Sequence, residues 1–216
     1  MPDIFDEVEE DLRAERAKRL AQRWGGLALG VALVAVAAVG GWQGWRWYEG
    51  RNAAQAAETF LTLNAAAERP GADLATVANG FAALGRDAPA GYRTLARLRA
   101  AALKAETGDL PGATALWEAV ALDSEADRLY RDLATLLSVS HAVDSGDPAA
   151  LAARLQPLLA EGNPWRASAR EAAALLAIRR GQSEEARRML EALVSDPAAP
   201  SGVRERAQRV AAGLRG

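Results

Sequence analysis

Three regimes of hydrophobic and polar order follow one another along the chain. In the first, Ile4, Phe5, Val8 and Leu12 share one helical face, while Asp3, Asp6, Glu7, Glu9, Glu10 and Asp11 fill the remainder. That pattern predicts an amphipathic helix. In the second, Trp24 to Trp45 holds no charged residue, and Leu27 to Val39 is almost wholly Leu, Val and Ala. At ~1.5 Å rise per residue, Trp24 to Trp42 measures about 27 Å as a helix, close to the hydrocarbon thickness of a bilayer. An apolar surface that runs right round a helix suits lipid and not water. The run therefore predicts one transmembrane helix. From Arg51 onward the chain breaks into short amphipathic stretches separated by Gly, Asp and Pro, which predicts a series of packed helices.

The breaks in this third regime recur at a near-constant interval. Gly71-Ala72-Asp73-Leu74, Gly108-Asp109-Leu110, Gly146-Asp147-Pro148 and Gly181-Gln182-Ser183 lie 37, 38 and 35 residues apart. A period of this length marks stacked helical hairpins. Each glycine is expected to end one helix in a left-handed conformation, with Asp or Ser capping the next. The first hairpin is expected to pair 53–68 with 73–85 and the second 91–107 with 110–122. The third pairs 125–145 with 148–160, and the fourth 165–180 with 184–195. Pro89, Pro164 and Pro200 suit first-turn positions, where a missing N–H costs nothing. A closing helix over 202–214 carries Arg204, Glu205, Arg206 and Arg209, the polar outer face a terminal cap needs.

Within the hairpins, Ala113, Trp117 and Val120 stand at i, i+4 and i+7, as do Ala186, Leu190 and Leu193. The third hairpin offers Leu151, Leu155 and Leu158. A small first residue lets two helices approach, and the bulkier pair fills the neighbouring groove. This is the residue logic of the tetratricopeptide repeat (TPR), and Gly108 to Trp117 resembles its second half. Three departures make the repeats degenerate: a longer period, slightly short second helices, and Leu151 where the small residue belongs. The expected fold is all-α: one N-terminal transmembrane helix, then a TPR-like solenoid of about four hairpins and a capping helix.

Charge sets the orientation. Arg13, Arg16, Lys18, Arg19 and Arg23 precede the apolar run, whereas only Arg46 and Arg51 follow closely. Basic residues resist translocation, so the N-terminus is expected in the cytoplasm and everything after Tyr48 outside. Residues 1–23 then form a cytoplasmic amphipathic segment, 24–48 the transmembrane helix and 49–216 the exported repeat domain. Trp24 would mark one membrane interface and Trp42, Trp45, Trp47 and Tyr48 the other. A secretory signal peptide cut near Ala35-Val36-Ala37 is the competing reading. The long acidic leader and the continuation of the apolar run past that site argue against it.

Composition narrows the function. From Arg51 on, basic and acidic residues are equal in number, so no basic field points to nucleic acid. The chain has no cysteine, which excludes disulfides, thiolate metal sites and cysteine nucleophiles. His141 is the only histidine, and a hydrogen bond to Asp144 is its expected role. No catalytic constellation, phosphate loop or metal spacing stands out. A non-enzyme without cofactor, metal or small-molecule substrate is expected.

Candidate partner-binding residues fall in three places. Ile4, Phe5, Val8 and Leu12 could dock a cytoplasmic partner, or could form a stub resting near the membrane. Gly26 and Gly30, like Gly40 and Gly44, could let another membrane helix pack closely. In the repeat domain, Tyr92, Arg93, Arg97, Arg99, Tyr130, Arg131, Trp165, Arg166 and Arg170 lie on first helices, which stacked hairpins expose on their inner surface. Tyr, Trp and Arg are the residue types that carry binding energy at interfaces, although some of these must fill seams between helices.

The architecture as a whole resembles a bacterial family, the YfgM-type ancillary subunits of the Sec translocon. The opening Asp3-Ile4-Phe5-Asp6-Glu7-Val8-Glu9-Glu10-Asp11-Leu12-Arg13, followed by Arg16-Ala17-Lys18-Arg19-Leu20, is similar to the start of its alphaproteobacterial members. The resemblance implies an inner-membrane protein with a periplasmic repeat domain. It implies protein partners too: Sec channel subunits and periplasmic folding factors or client polypeptides. It brings no catalytic residues. The residues themselves also allow an accessory subunit of another inner-membrane assembly, respiratory or cell-envelope, or a cleaved soluble binding module.

Overall fold

The computed structural model describes residues 4–214, with side chains in the first part of the chain at 18, 26, 29–31 and from 33 onward. All regular structure among the described residues is helical. The helices are α1 (Ile4–Ala67), α2 (Leu74–Asp87), α3 (Ala90–Glu106), α4 (Leu110–Ala121) and α5 (Arg128–Ala142). They continue with α6 (Pro148–Leu155), a 3₁₀ turn (Gln156–Leu159), α7 (Arg166–Arg179), α8 (Ser183–Val194) and α9 (Ser201–Gly213). The chain divides into two compact units, Met1–Asn52 and Ala53–Gly216.

In the first unit the expected amphipathic segment and apolar run belong to one unbroken helix, α1. Its described apolar side chains are exposed from Leu29 to Tyr48, with Leu33 at 63% and Val36 at 70%. Among the described residues no helix is long and apolar enough to cross a membrane. The side chains of Trp24, Leu27, Ala28 and Ala32 in the run, and those of Ile4, Phe5, Val8 and Leu12, lie outside the described ones.

The second unit is built from seams that follow one another along the chain. Phe60 and Leu63 at the end of α1 pack with Val77, Ala78 and Phe81 of α2 and Ala96, Ala100 and Leu103 of α3. Ala101, Ala113, Trp117, Val120 and Ala134 join α3, α4 and α5. Leu136, Val139, Leu151, Leu155, Leu158 and Leu176 hold α5, α6 and α7 together. Ala174, Leu190, Leu193, Val203 and Ala207 close α7 against α8 and α9. Each seam draws on neighbours in sequence, as a stack of repeats requires. Of the residues expected on the outer face of α9, Glu205, Arg206 and Arg209 are exposed, whereas Arg204 is half-buried and donates to Ala199 O at 2.8 Å.

The turns show how the chain ends its helices. Gly71, Gly108 and Gly181 adopt φ of 74°, 88° and 74°, the left-handed conformation that favours glycine. Asp73, Asp109 and Asp147 then cap α2, α4 and α6 through their side-chain oxygens.

Five expectations need correction. Gly146 is not left-handed; it is small because a Cβ there would meet Leu151 Cδ1 at 2.9 Å. Leu151 occupies the place where the other hairpins have alanine, and Gly146 supplies its room. Ser183 does not cap α8: Gln182 stands at the N-cap without a side-chain bond. Pro89 and Pro200 are N-caps and not first-turn residues, and Pro164 precedes the Trp165 cap. α5 begins at Arg128, where Asp127 caps it. The second helix of the third hairpin leaves α geometry at Leu155, because Pro157 lacks the N–H and clashes with the preceding turn.

Candidate functional site

Most of the expected binding residues are engaged within the domain. Arg97 donates to Gly85 O at 2.8 Å and to Asp123 at 3.0 Å. Arg93 pairs with Asp123 at 3.5 Å and also with Glu125. Arg170 meets Asp196 at 3.5 Å. Tyr92 lies 6.1 Å from the Phe60 ring, in the first seam. Tyr130 packs against the Trp117 cluster. Trp165 packs beside the Leu155 cluster, and its Nε1 donates to Leu129 O at 2.9 Å. Arg99, Arg131 and Arg166 are half-buried, each with Nε sealed from solvent and without a hydrogen-bond partner.

Reading for interface residue types missed the acids that engage these arginines. Asp123 and Asp196 each open a turn, accepting from Glu125 N at 3.0 Å and Ala198 N at 2.9 Å. A signal was present, since Arg97 precedes Asp123 by the same interval that separates Arg170 from Asp196. Other bonds span about one repeat. Arg154 reaches Glu118 at 3.3 Å. Arg179 donates to Gly146 O at 2.8 Å and also to Val143 O. Arg206 grips Glu171 with two bonds of 2.7 Å. Such bidentate geometry fixes the register of one hairpin on the next.

His141 forms no hydrogen bond to Asp144 among the described residues. It is exposed, and its ring stacks on buried Trp117 at 4.7 Å and 24°. Among the described residues, three carboxylates are held below their ordinary range. Asp73 is lowered chiefly by the Thr76 hydroxyl, and Asp109 by Lys104 and then by Gly112 N–H. Glu184 is lowered by Arg187. Glu171 raises the Arg206 guanidinium above the ordinary arginine value. Each is a structural interaction at a cap or helix surface. No group of three or more His, Asp or Glu side chains among the described residues could hold a metal.

Around the expected aromatic belt, rings and cations pair along α1. The Arg46 guanidinium lies 5.2 Å from the Trp42 ring and that of Arg51 4.8 Å from Trp47. Trp45 and Tyr48 are 6.5 Å apart. Trp24 lies outside the described side chains. Gly26, Gly30, Gly40 and Gly44 have open space where a Cβ would stand.

Sequential helical hairpins, small–large–large seams and one-period cross-links define an α-helical repeat protein. The family model of the tetratricopeptide repeat-like domain matches residues 18–188, and the chain belongs to that family. Domains of this class suggest a role in protein–protein interaction and are typically non-catalytic. No curated protein and no solved structure matches the chain.

Proposed function

We propose that the protein is a membrane-anchored, non-catalytic adaptor. In this reading α1 crosses the bacterial inner membrane once, with its N-terminus in the cytoplasm. The repeat domain binds proteins in the periplasm, beside the Sec translocon and periplasmic folding factors.

The observation that carries the anchor is the exposure of every described apolar side chain between Leu29 and Tyr48. In water such a helix would present an apolar surface larger than soluble proteins tolerate. Lipid covers it from all sides while the helix satisfies its own backbone. Trp42, Trp45, Trp47 and Tyr48, with Arg46 and Arg51 over two of the rings, suit the headgroup layer. The basic cluster from Arg13 to Arg23 supports the orientation. The family match begins at Lys18 and so takes in the apolar run. Placement beside the translocon rests on the resemblance of the opening segment.

Affinity purification of the tagged full chain in mild detergent tests the partner. Sec channel subunits should be recovered. Recovery of a respiratory or cell-envelope complex in their place would move the adaptor to that assembly. Sequencing the mature N-terminus tests the anchor, since a start near Ala38 would establish cleavage and end this reading.

A further inference from the structure

Arg46 and Arg51 reach back along α1 toward its N-terminus. Each guanidinium lies over a ring one turn earlier, 5.2 Å from Trp42 and 4.8 Å from Trp47. Long side chains on a helix lean in that direction. Trp42, Trp45, Trp47 and Tyr48 are each more than half exposed. At about 3.6 residues per turn they encircle the helix and mark no single face. A protein partner calls for a stripe, whereas lipid meets a lone helix from every side. Both arginines are exposed, and neither has an ion pair or hydrogen bond among the described residues. Glu49, the only acid from Trp42 to Arg51, pairs with neither. A ring face attracts the cation but leaves the guanidinium N–H groups unbonded.

We infer that Arg46 and Arg51 bind the phosphates of anionic phospholipid headgroups in the outward-facing leaflet of the membrane. The inference rests on the membrane-anchor reading and names the lipid chemistry at the outer end of that anchor. In that reading Trp42 and Trp47 lie one turn deeper than the backbone of the arginines that cover them. Each side chain therefore reaches toward the hydrocarbon and away from water. A cation drawn to that depth without an anion is costly. The bilayer supplies one at that level, the lipid phosphodiester, whose oxygens match the planar guanidinium fork. A zwitterionic headgroup balances its phosphate with its own ammonium, and phosphatidylglycerol does not. Two arginines against the single Glu49 therefore favour the anionic lipid.

Photocrosslinking tests this with the full chain in vesicles of equal phosphatidylglycerol and phosphatidylcholine. A p-benzoylphenylalanine replaces Tyr48, and mass spectrometry identifies the lipid joined at that position. Phosphatidylglycerol adducts should exceed phosphatidylcholine adducts by about fivefold or more, the effect of one basic residue at an anionic surface. Arg46→Gln combined with Arg51→Gln should bring the two close to equality. Equal adducts with both arginines present, or a preference that survives the double substitution, would overturn the inference. Adducts to a second copy of the chain in place of lipid would also overturn it, in favour of a helix pair. A chain that sodium carbonate strips from the vesicles refutes the anchor, and the lipid site with it. Retention in the membrane without lipid preference refutes the lipid site alone.

Discussion

Trp117 is 1% exposed, packs between α3 and α5, and carries the exposed His141 ring on its face. Truncating it opens a large cavity and removes the stack, so Trp117→Ala should cost about 3–5 kcal/mol in denaturant unfolding. Asp109 makes a pH-dependent contribution. Its folded value is lowered, first by Lys104, so its share of stability is complete above the unfolded value near about pH 4. That share is lost as pH falls through the lower folded value. Asp109→Asn keeps a capping oxygen but loses the charge. Its melting temperature should trail the wild type by a constant gap at neutral pH, and the gap should close in acid. A gap that persists well below pH 4 would contradict this. Legibility at the residue scale follows burial. Ala113, Trp117 and Val120 could be read because their spacing reports one face, and each is 1% exposed or less. The Trp117–His141 stack could not, since it joins different helices and no local spacing announces it.

At the scale of elements, the starts of the second helices in the first three hairpins were legible because a side-chain cap acts locally, whereas the equally local Asp127 cap of α5 was missed. Asp73, Asp109 and Asp147 all hold the first N–H groups of their helices. The third hairpin was misread because two substitutions compensate one another through space. Leu151 fills the alanine position and Gly146 withdraws its Cβ. Gly146→Ala should therefore destabilise the wild type, and the penalty should shrink in a Leu151→Ala background; a double-mutant cycle measures that coupling. Gly108 differs, since nothing crowds its missing Cβ but its φ is 88°. Gly108→Ala should cost about 1–2 kcal/mol from backbone strain alone, in any background. Pro157 was visible in the sequence, but its replacement of α by 3₁₀ geometry depends on the packing of Leu155 and Leu158 in the core.

Across the whole molecule, the hairpin period emerged from four glycine turns, and the seams confirm it because each draws on adjacent helices. The candidate site was less legible. Residue type picked out Arg93, Arg97, Arg170, Tyr130 and Trp165, yet the domain uses them for its own cohesion. An arginine that binds a partner and one that ties two hairpins look alike until its acid is found. The apolar run of α1 is the reverse case, plain in sequence and with its described apolar side chains exposed from Leu29 to Tyr48. The proposed anchor follows from it, and topology tests that claim most directly. The full chain should be fused at Gly216 to alkaline phosphatase or to green fluorescent protein and expressed in a Gram-negative bacterium. The account predicts an active phosphatase and a dark fluorescent fusion when both are exported by the Sec route. A fluorescent fusion with inactive phosphatase would place the repeat domain in the cytoplasm and contradict it.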